Sequence, residues 1–317
     1  MASQNNISRL DYIYQFSGSG KFNRSKADYF AARVSGLYRS SDDGKSWTSA
    51  FDSLNLQKDL SALAVAVSPD LEDDPSIFVG LNGGILRSPN NGHHWESALL
   101  PSPPPVISTL AISPHFIQDG IIFAGTLEDG MLRSSDRGGR WYAWNFGLLD
   151  LNVLCLAISP GFANDETLFV GAQSGIFRST NGGRSWREVD LPVGFEPVLS
   201  LAISSNFIQD ATLFAGTENQ GLLCSADAGR TWRRLSKSVL KQPINSILLA
   251  PNFSDSNELL VLHGNILLFS SDGGKSWQEW RPDKLNGKDV MAVYAPYGFA
   301  PQSPALVGCA DGQIFRL

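Results

Sequence analysis

The chain has 317 residues, 43% of them hydrophobic and 18% charged, with 30 glycines and 17 prolines; this balance excludes a disordered polymer and describes a turn-rich globular one. Its 25 Lys and Arg against 31 Asp and Glu leave a net charge of -6, which argues against nucleic acid as the main partner while leaving room for a local basic patch on one face. No apolar run approaches the roughly 18 residues of a membrane span, and Met1 to Asp11 lacks the charged-then-apolar pattern of a secretory signal, so the expectation is a cytoplasmic protein.

In chain order, the first extended segment is Tyr12 to Phe16, which the spacing makes the first strand of a repeating unit and which leaves residues 2–9 over. First strands then recur at Ala62 to Ser68, Ser108 to Ser113, Cys155 to Ser159, Leu199 to Ser204, Asn245 to Ala250 and Val290 to Ala295. Each alternates in side-chain character, as half-buried strands do. Second strands follow at Ile77 to Gly80, Ile121 to Gly125, Thr167 to Gly171, Thr212 to Gly216, Leu259 to Leu262 and Ala305 to Gly308, nearly all apolar, as expected of strands covered on both faces. The connections between first and second strands, such as Gly161 to Asp165 after Ser159-Pro160, read as loops.

Third strands carry a Gly-apolar-apolar-Arg pattern, seen at Gly36 to Arg39 and Gly175 to Arg178 and again at Gly312 to Arg316 near the end of the chain. Six of them run into one signature, Ser-x-(Asp/Asn)-x-Gly-x-x-Trp, at Ser40–Trp47, Ser88–Trp95, Ser134–Trp141, Ser179–Trp186, Ser225–Trp232 and Ser270–Trp277. Their tryptophans are 48, 46, 45, 46 and 45 residues apart, a period that fits one four-stranded sheet per repeat and hence a radial array of blades. Seven third strands mean seven blades. The expectation is an all-β, seven-bladed propeller of four-stranded antiparallel blades spanning residues 1–317 as one domain. The last blade has no fourth strand after it, so the termini are expected to close the ring, with residues 2–9 supplying that strand.

The signature resembles the Asp-box, or bacterial neuraminidase repeat, of sialidases, sortilin-type receptors, xyloglucanases and the Ycf48-like photosystem assembly factors. Ser40, Asp42, Gly44, Ser46 and Trp47 match it fully, as do Ser225, Asp227, Gly229, Thr231 and Trp232, and Ser270, Asp272, Gly274, Ser276 and Trp277. Asn90 and Asn181 replace the aspartate elsewhere, and His94 and Arg140 replace the hydroxyl. The chemistry is that of a turn: a carboxylate or amide accepts backbone N–H groups, a glycine takes positive φ, and a Trp buries its ring. One carboxylate per turn is too few for calcium, and no metal or other cofactor is expected. Cys155, Cys224 and Cys309 read as reduced core thiols.

The third-strand arginines Arg39, Arg87, Arg133, Arg178 and Arg316 leave two readings open, a structural one through carbonyls or stacking and a cationic ring for an acidic ligand. In a four-stranded meander the signature turns and the first-to-second loops share one face. The second-to-third turns and the blade-to-blade loops share the other, and function is expected there. Apolar residues in these loops, namely Leu54, Leu56, Trp144, Phe146, Leu148, Leu149, Phe195, Val239 and Leu240, suggest a protein partner's site. Glu128, Asp129, Glu218, Asp311 and His263 are expected as an acidic lining near the axis that suits a basic segment. The functional expectation is a non-enzymatic interaction or assembly scaffold with no catalytic residues. The resemblance to sialidases and xyloglucanases implies the alternative of a glycoside hydrolase or glycan-binding lectin, for which the chain offers neither the sialidase arginine triad nor a Ser/His/Asp pattern.

Overall fold

The computed structural model describes residues 10–18 and 28–317. Seven antiparallel sheets follow one another around a ring, each in simple meander order. The chain is a seven-bladed β-propeller. Blade 1 is built from Ile13–Gly18, Tyr29–Arg33, Gly36–Ser40 and Thr48–Ser49; blade 4 from Val153–Ile158, Leu168–Ala172, Ile176–Ser179 and Arg187–Val189; blade 7 from Val290–Tyr294, Leu306–Cys309 and Ile314–Arg316. The first strand of each blade faces the axis and touches the first strands of its neighbours. Blade 7 has three strands among the described residues, and the closing strand expected from residues 2–9 lies outside them.

Adjacent blades are joined by a repeated wedge. Near its start each first strand buries one residue against the preceding blade, seated where that blade's second strand carries glycine. The pairs are Gly80–Ile107, Gly125–Val153, Gly171–Val198, Gly216–Ile244 and, across the ring closure, Gly308–Ile13. A Cβ at Gly171 would stand 2.5 Å from the Cys155 sulfur and 2.8 Å from Val198 Cγ1, so these joints have no room for a side chain. Ala32 and Leu262 hold the corresponding positions in blades 1 and 6. One residue beyond the wedge, at Tyr14, Ser108, Leu154, Leu199, Asn245 and Met291, six of the first strands bulge where their pairing register shifts.

A second joint is aromatic. The segments read from sequence as loops after Ser159 and its equivalents each contain a single helical turn: Phe116–Asp119, Phe162–Asp165, Phe207–Asp210 and Phe253–Ser256. In three of them a serine hydroxyl donates to the aspartate that ends the turn (Ser113 to Asp119 at 2.6 Å, Ser159 to Asp165 and Ser204 to Asp210 at 2.5 Å). The same carboxylate accepts the N–H that begins the second strand, at 2.8 Å. The turn's phenylalanine meets a second-strand phenylalanine of the preceding blade edge to face: Phe78–Phe116, Phe123–Phe162, Phe169–Phe207 and Phe214–Phe253 lie 5.5 to 6.2 Å apart.

The signature turns complete the contact. Asp42 accepts the Lys45 and Ser46 N–H groups at 3.0 and 2.9 Å and the Ser46 hydroxyl at 2.6 Å, while the Ser40 hydroxyl accepts Gly44 N–H. Asp227 and Asp272 repeat the pattern. The turn glycine needs its positive φ, 78° at Gly138, and packs on the previous blade's Phe78. The tryptophans that follow are wedges between blades: the Trp95 indole donates to Ala50 O and the Trp186 indole to Trp144 O, both at 2.8 Å, with the rings buried. The fourth strands they introduce are only two or three residues long.

Two outcomes are expected. Trp186→Ala lowers stability by about 3–5 kcal/mol in denaturant unfolding, because a buried aromatic is lost with its hydrogen bond. Hydrogen bonds from the Ser46 and Ser276 side chains and N–H groups hold Asp42 and Asp272 well below the usual carboxylate range. At Asp227 burial opposes this, yet the bonds from Thr231, Ser225 and Arg230 keep it at about 2. Folded values below the unfolded 3.8 mean that this stability is complete above about pH 4 and is lost as pH falls toward 2. Asp227→Ala is therefore expected to cost about 1–2 kcal/mol at pH 7, with the gap to the parent closing in unfolding curves at pH 2.5.

Candidate functional site

The blade-to-blade loops and second-to-third turns do share one face, and over blades 3 to 5 they are tied into one sector. The Asn145 side chain accepts Met131 N–H at 2.7 Å and donates to Asp129 O at 2.9 Å, and Gly130 N–H donates to Leu151 O. Asp150 accepts Ser174 N–H at 2.7 Å from the turn of blade 4; Glu196 N–H donates to Ser174 O, and the buried Glu196 carboxylate accepts Asn219 N–H from the turn of blade 5. Glu218 N–H closes the series on Pro197 O. The loops thereby stand on rigid strands and on one another.

This sector presents three large apolar side chains to solvent. Phe146 is 81% exposed, Leu149 77% and Phe195 82%. The loops that carry them are anchored: Phe146 O accepts Trp186 N–H at 2.9 Å, Gly147 packs against the Trp186 backbone, and beside Leu149 and Phe195 the N–H groups of Leu148 and Glu196 donate to Asn145 O and Ser174 O. Glu128, Asp129 and Glu218 are exposed in the adjoining turns. Asp311 is exposed too, but in the turn of blade 7, away from this sector.

Several sequence-based candidates belong elsewhere. Leu148 and Leu240 are buried and take part in the cores of the blade joints, so neither is a contact residue. Trp144 is half-buried, with the Arg133 guanidinium 4.2 Å above its ring and its carbonyl holding Trp186. The acidic turns do not line the axis, because second-to-third turns stand outward of the first strand. The axis is lined instead by the first strands of all seven blades, including Tyr14, Ser108, Leu154, Leu199, Asn245 and Met291, around a cavity of about 310 Å³. Among the described residues, this lining includes no Asp or Glu.

Sequence reasoning passed over Leu99, exposed in the blade 2 loop with its N–H on Gly139 O at 2.9 Å. The signal was its position: it follows the fourth strand as Phe146 does. Cys224 and Cys309 are buried and Cys155 half-buried, its thiol on Val198 O at 3.3 Å; burial pushes the Cys309 thiol up to about 11. Among the described residues no group of three or more His, Cys, Asp or Glu converges as a metal site, and no helix is long and apolar enough to cross a membrane.

No protein-family model matches the chain, and no curated protein matches it. Solved structures do. The GH74 xyloglucanase from Xanthomonas campestris superposes with a TM-score of 0.73 at 19% identity, covering 97% of this chain and 52% of that one, so the chain spans about half its length. The extracellular domain of a putative hybrid two-component system from B. thetaiotaomicron gives 0.70 at 16%, covering 98% and 38%. YCF48 bound to D1 peptide gives 0.69 at 17%, covering 97% of this chain and 93% of that one. At these identities the likeness establishes the propeller fold.

His263 ends the second strand of blade 6, and its Nε2 accepts the backbone N–H groups of Lys241 and Gln242 at 3.0 and 2.9 Å. That nitrogen therefore carries no proton, and burial pushes the imidazole below its ordinary 6.5. The unfolded chain takes up a proton that the folded one refuses, so stability is complete above about pH 6.5 and declines as pH falls below it. His263→Gln is expected to flatten this slope in urea midpoints compared between pH 7.5 and 5.5.

Proposed function

We propose that the protein is a non-enzymatic interaction platform that docks a protein segment on the loop sector over blades 3 to 5. The observation that carries this reading is the trio Phe146, Leu149 and Phe195, exposed on anchored loops. Exposing such side chains costs solubility without improving the core, whereas rigid aromatic anchors are what an interface uses. The flanking Glu128, Asp129 and Glu218 favour a segment that carries basic residues beside its apolar ones. The six signature turns are read as Asp-boxes with a scaffold role only, since their carboxylates, or the amides of Asn90 and Asn181, accept N–H groups of their own turns. YCF48, a propeller of the same fold and nearly the same extent, is a structure bound to a D1 peptide, which supports a peptide ligand here.

Because the three side chains are exposed, Phe146→Ala, Leu149→Ala and Phe195→Ala together are expected to leave the melting temperature unchanged. In affinity purification from the native cell, a protein recovered stoichiometrically with the parent is expected to be lost with the triple variant, a drop of at least tenfold. Recovery unchanged in the variant contradicts the assigned surface. Turnover or tight binding of a defined glycan on an array, with no protein recovered, contradicts the reading and supports a carbohydrate-active protein.

A further inference from the structure

The third-strand arginines are nearly all accounted for. Arg87 pairs with Glu96, the residue opposite it on the fourth strand, through Nε and Nη2 at 2.9 and 2.7 Å. Arg39 reaches Asp28 at 3.2 Å, Arg133 stacks on Trp144, and Arg316 pairs with Asp43. Arg178 is the exception. The residue opposite it, where blade 2 has Glu96, is Arg187. Cross-strand neighbours lie roughly 5 Å apart at Cβ, and like charges there repel.

A second carboxylate is missing at the same place. In blade 4 the signature residue Arg184 pairs with Glu166, the left-handed residue that ends the helical turn, at 2.8 and 3.0 Å. In blade 5 the signature residue is Arg230 and the corresponding turn ends in Ala211. Arg178, Arg187 and Arg230 thus line one open cleft of about 490 Å³ between blades 4 and 5, together with the hydroxyls of Thr180 and Ser185. Glu188 and Asp190 also border it, yet among the described residues none of the three arginines forms an ion pair or a side-chain hydrogen bond. The Arg178 Nε is buried without a partner, as are those of Arg39 and Arg133; burial first and then the Arg230 charge lower the Arg178 pKa, against the opposing charges of Asp227 and Asp165. Arg178 is half-buried and Arg187 and Arg230 are exposed, and an anion seated among these like charges would relieve their mutual repulsion.

We infer that this cleft binds a doubly charged phosphoryl group, free or carried on a peptide. Three guanidinium forks present more donors and more charge than one carboxylate can use, and a phosphate dianion with its several acceptor oxygens matches them. The cleft is lined by residues of the signature turns and of the fourth strand of blade 4 and includes none of Phe146, Leu149 and Phe195, so its test is separable from the protein-docking reading.

The test is titration of the parent with inorganic phosphate, pyrophosphate, and a phosphoserine peptide beside its unphosphorylated form, against chloride at matched ionic strength, read by calorimetry and by the melting midpoint. Arg187→Glu restores the pairing seen at Arg87–Glu96, and Ala211→Glu restores that at Arg184–Glu166, so both variants are expected to melt no lower than the parent. The parent is expected to bind pyrophosphate or the phosphopeptide specifically, and whichever binds tighter identifies the source. Either variant is expected to weaken binding roughly tenfold to a hundredfold, whereas the Phe146, Leu149, Phe195 triple variant leaves it unchanged. No phosphate-specific response in the parent, binding by both Arg187→Glu and Ala211→Glu as tight as the parent's, or equal binding of an unphosphorylated polyglutamate peptide overturns the inference.

Discussion

The ring depends on one contact found at five of its seven joints: a buried side chain of a first strand resting on the bare backbone of a glycine in the preceding blade, with Ala32 and Leu262 at the other two. Flat sheets cannot fan around an axis unless neighbours approach most closely at the centre, and a glycine there lets a second strand accept Ile, Val or their equivalent without a void. Ile13 on Gly308 repeats Val198 on Gly171, so the joint between the last blade and the first is built like the others. Farther out, phenylalanine pairs and then the signature tryptophans fill the widening gap between blades. The size of the filling residue grows with distance from the axis.

Much of this architecture was legible in the sequence because it recurs. A signature at a period of about 46 residues located the blades, and the strand at Ile13–Gly18 falls where spacing put a first strand. The short helical turns were missed, although Ser-x-x-Phe-x-x-Asp recurs from Ser113, Ser159 and Ser204; Pro and Gly nearby read as loop signals and hid it. The candidate surface was only partly legible. Leu148 and Phe146 are two residues apart in one loop, yet one is core and the other solvent-exposed, and no strand or helix period extends through a loop to sort them. His263 is expected from sequence in a lining near the axis, but it is a buried acceptor for two N–H groups contributed by a different loop.

The two proposed sites rest on residues that differ from blade to blade. Asp-turns, joint glycines and aromatic pairs recur in most blades, and the turn carboxylates are satisfied by their own backbones. Arg187, opposite Arg178 where blade 2 pairs Arg87 with Glu96, Ala211, where blade 4 has Glu166, and the exposed side chains of Phe146 and Phe195 are the differing positions. They fall in blades 3 to 5. A scaffold whose stability is spread over seven similar joints tolerates such local departures, because each joint contributes only a fraction of the whole.

The glycine joint is tested most directly where the ring closes. A Cβ at Gly308 would lie 2.8 to 2.9 Å from Cδ1, Cβ and Cγ2 of Ile13. A double-mutant cycle of Gly308→Ala and Ile13→Ala by urea unfolding is therefore decisive. Gly308→Ala alone should cost roughly 1–3 kcal/mol through overpacking, and most of that cost should vanish in the Ile13→Ala background, giving a coupling above about 0.5 kcal/mol. Strictly additive effects would contradict the claim that the ring closes by seating Ile13 on this glycine.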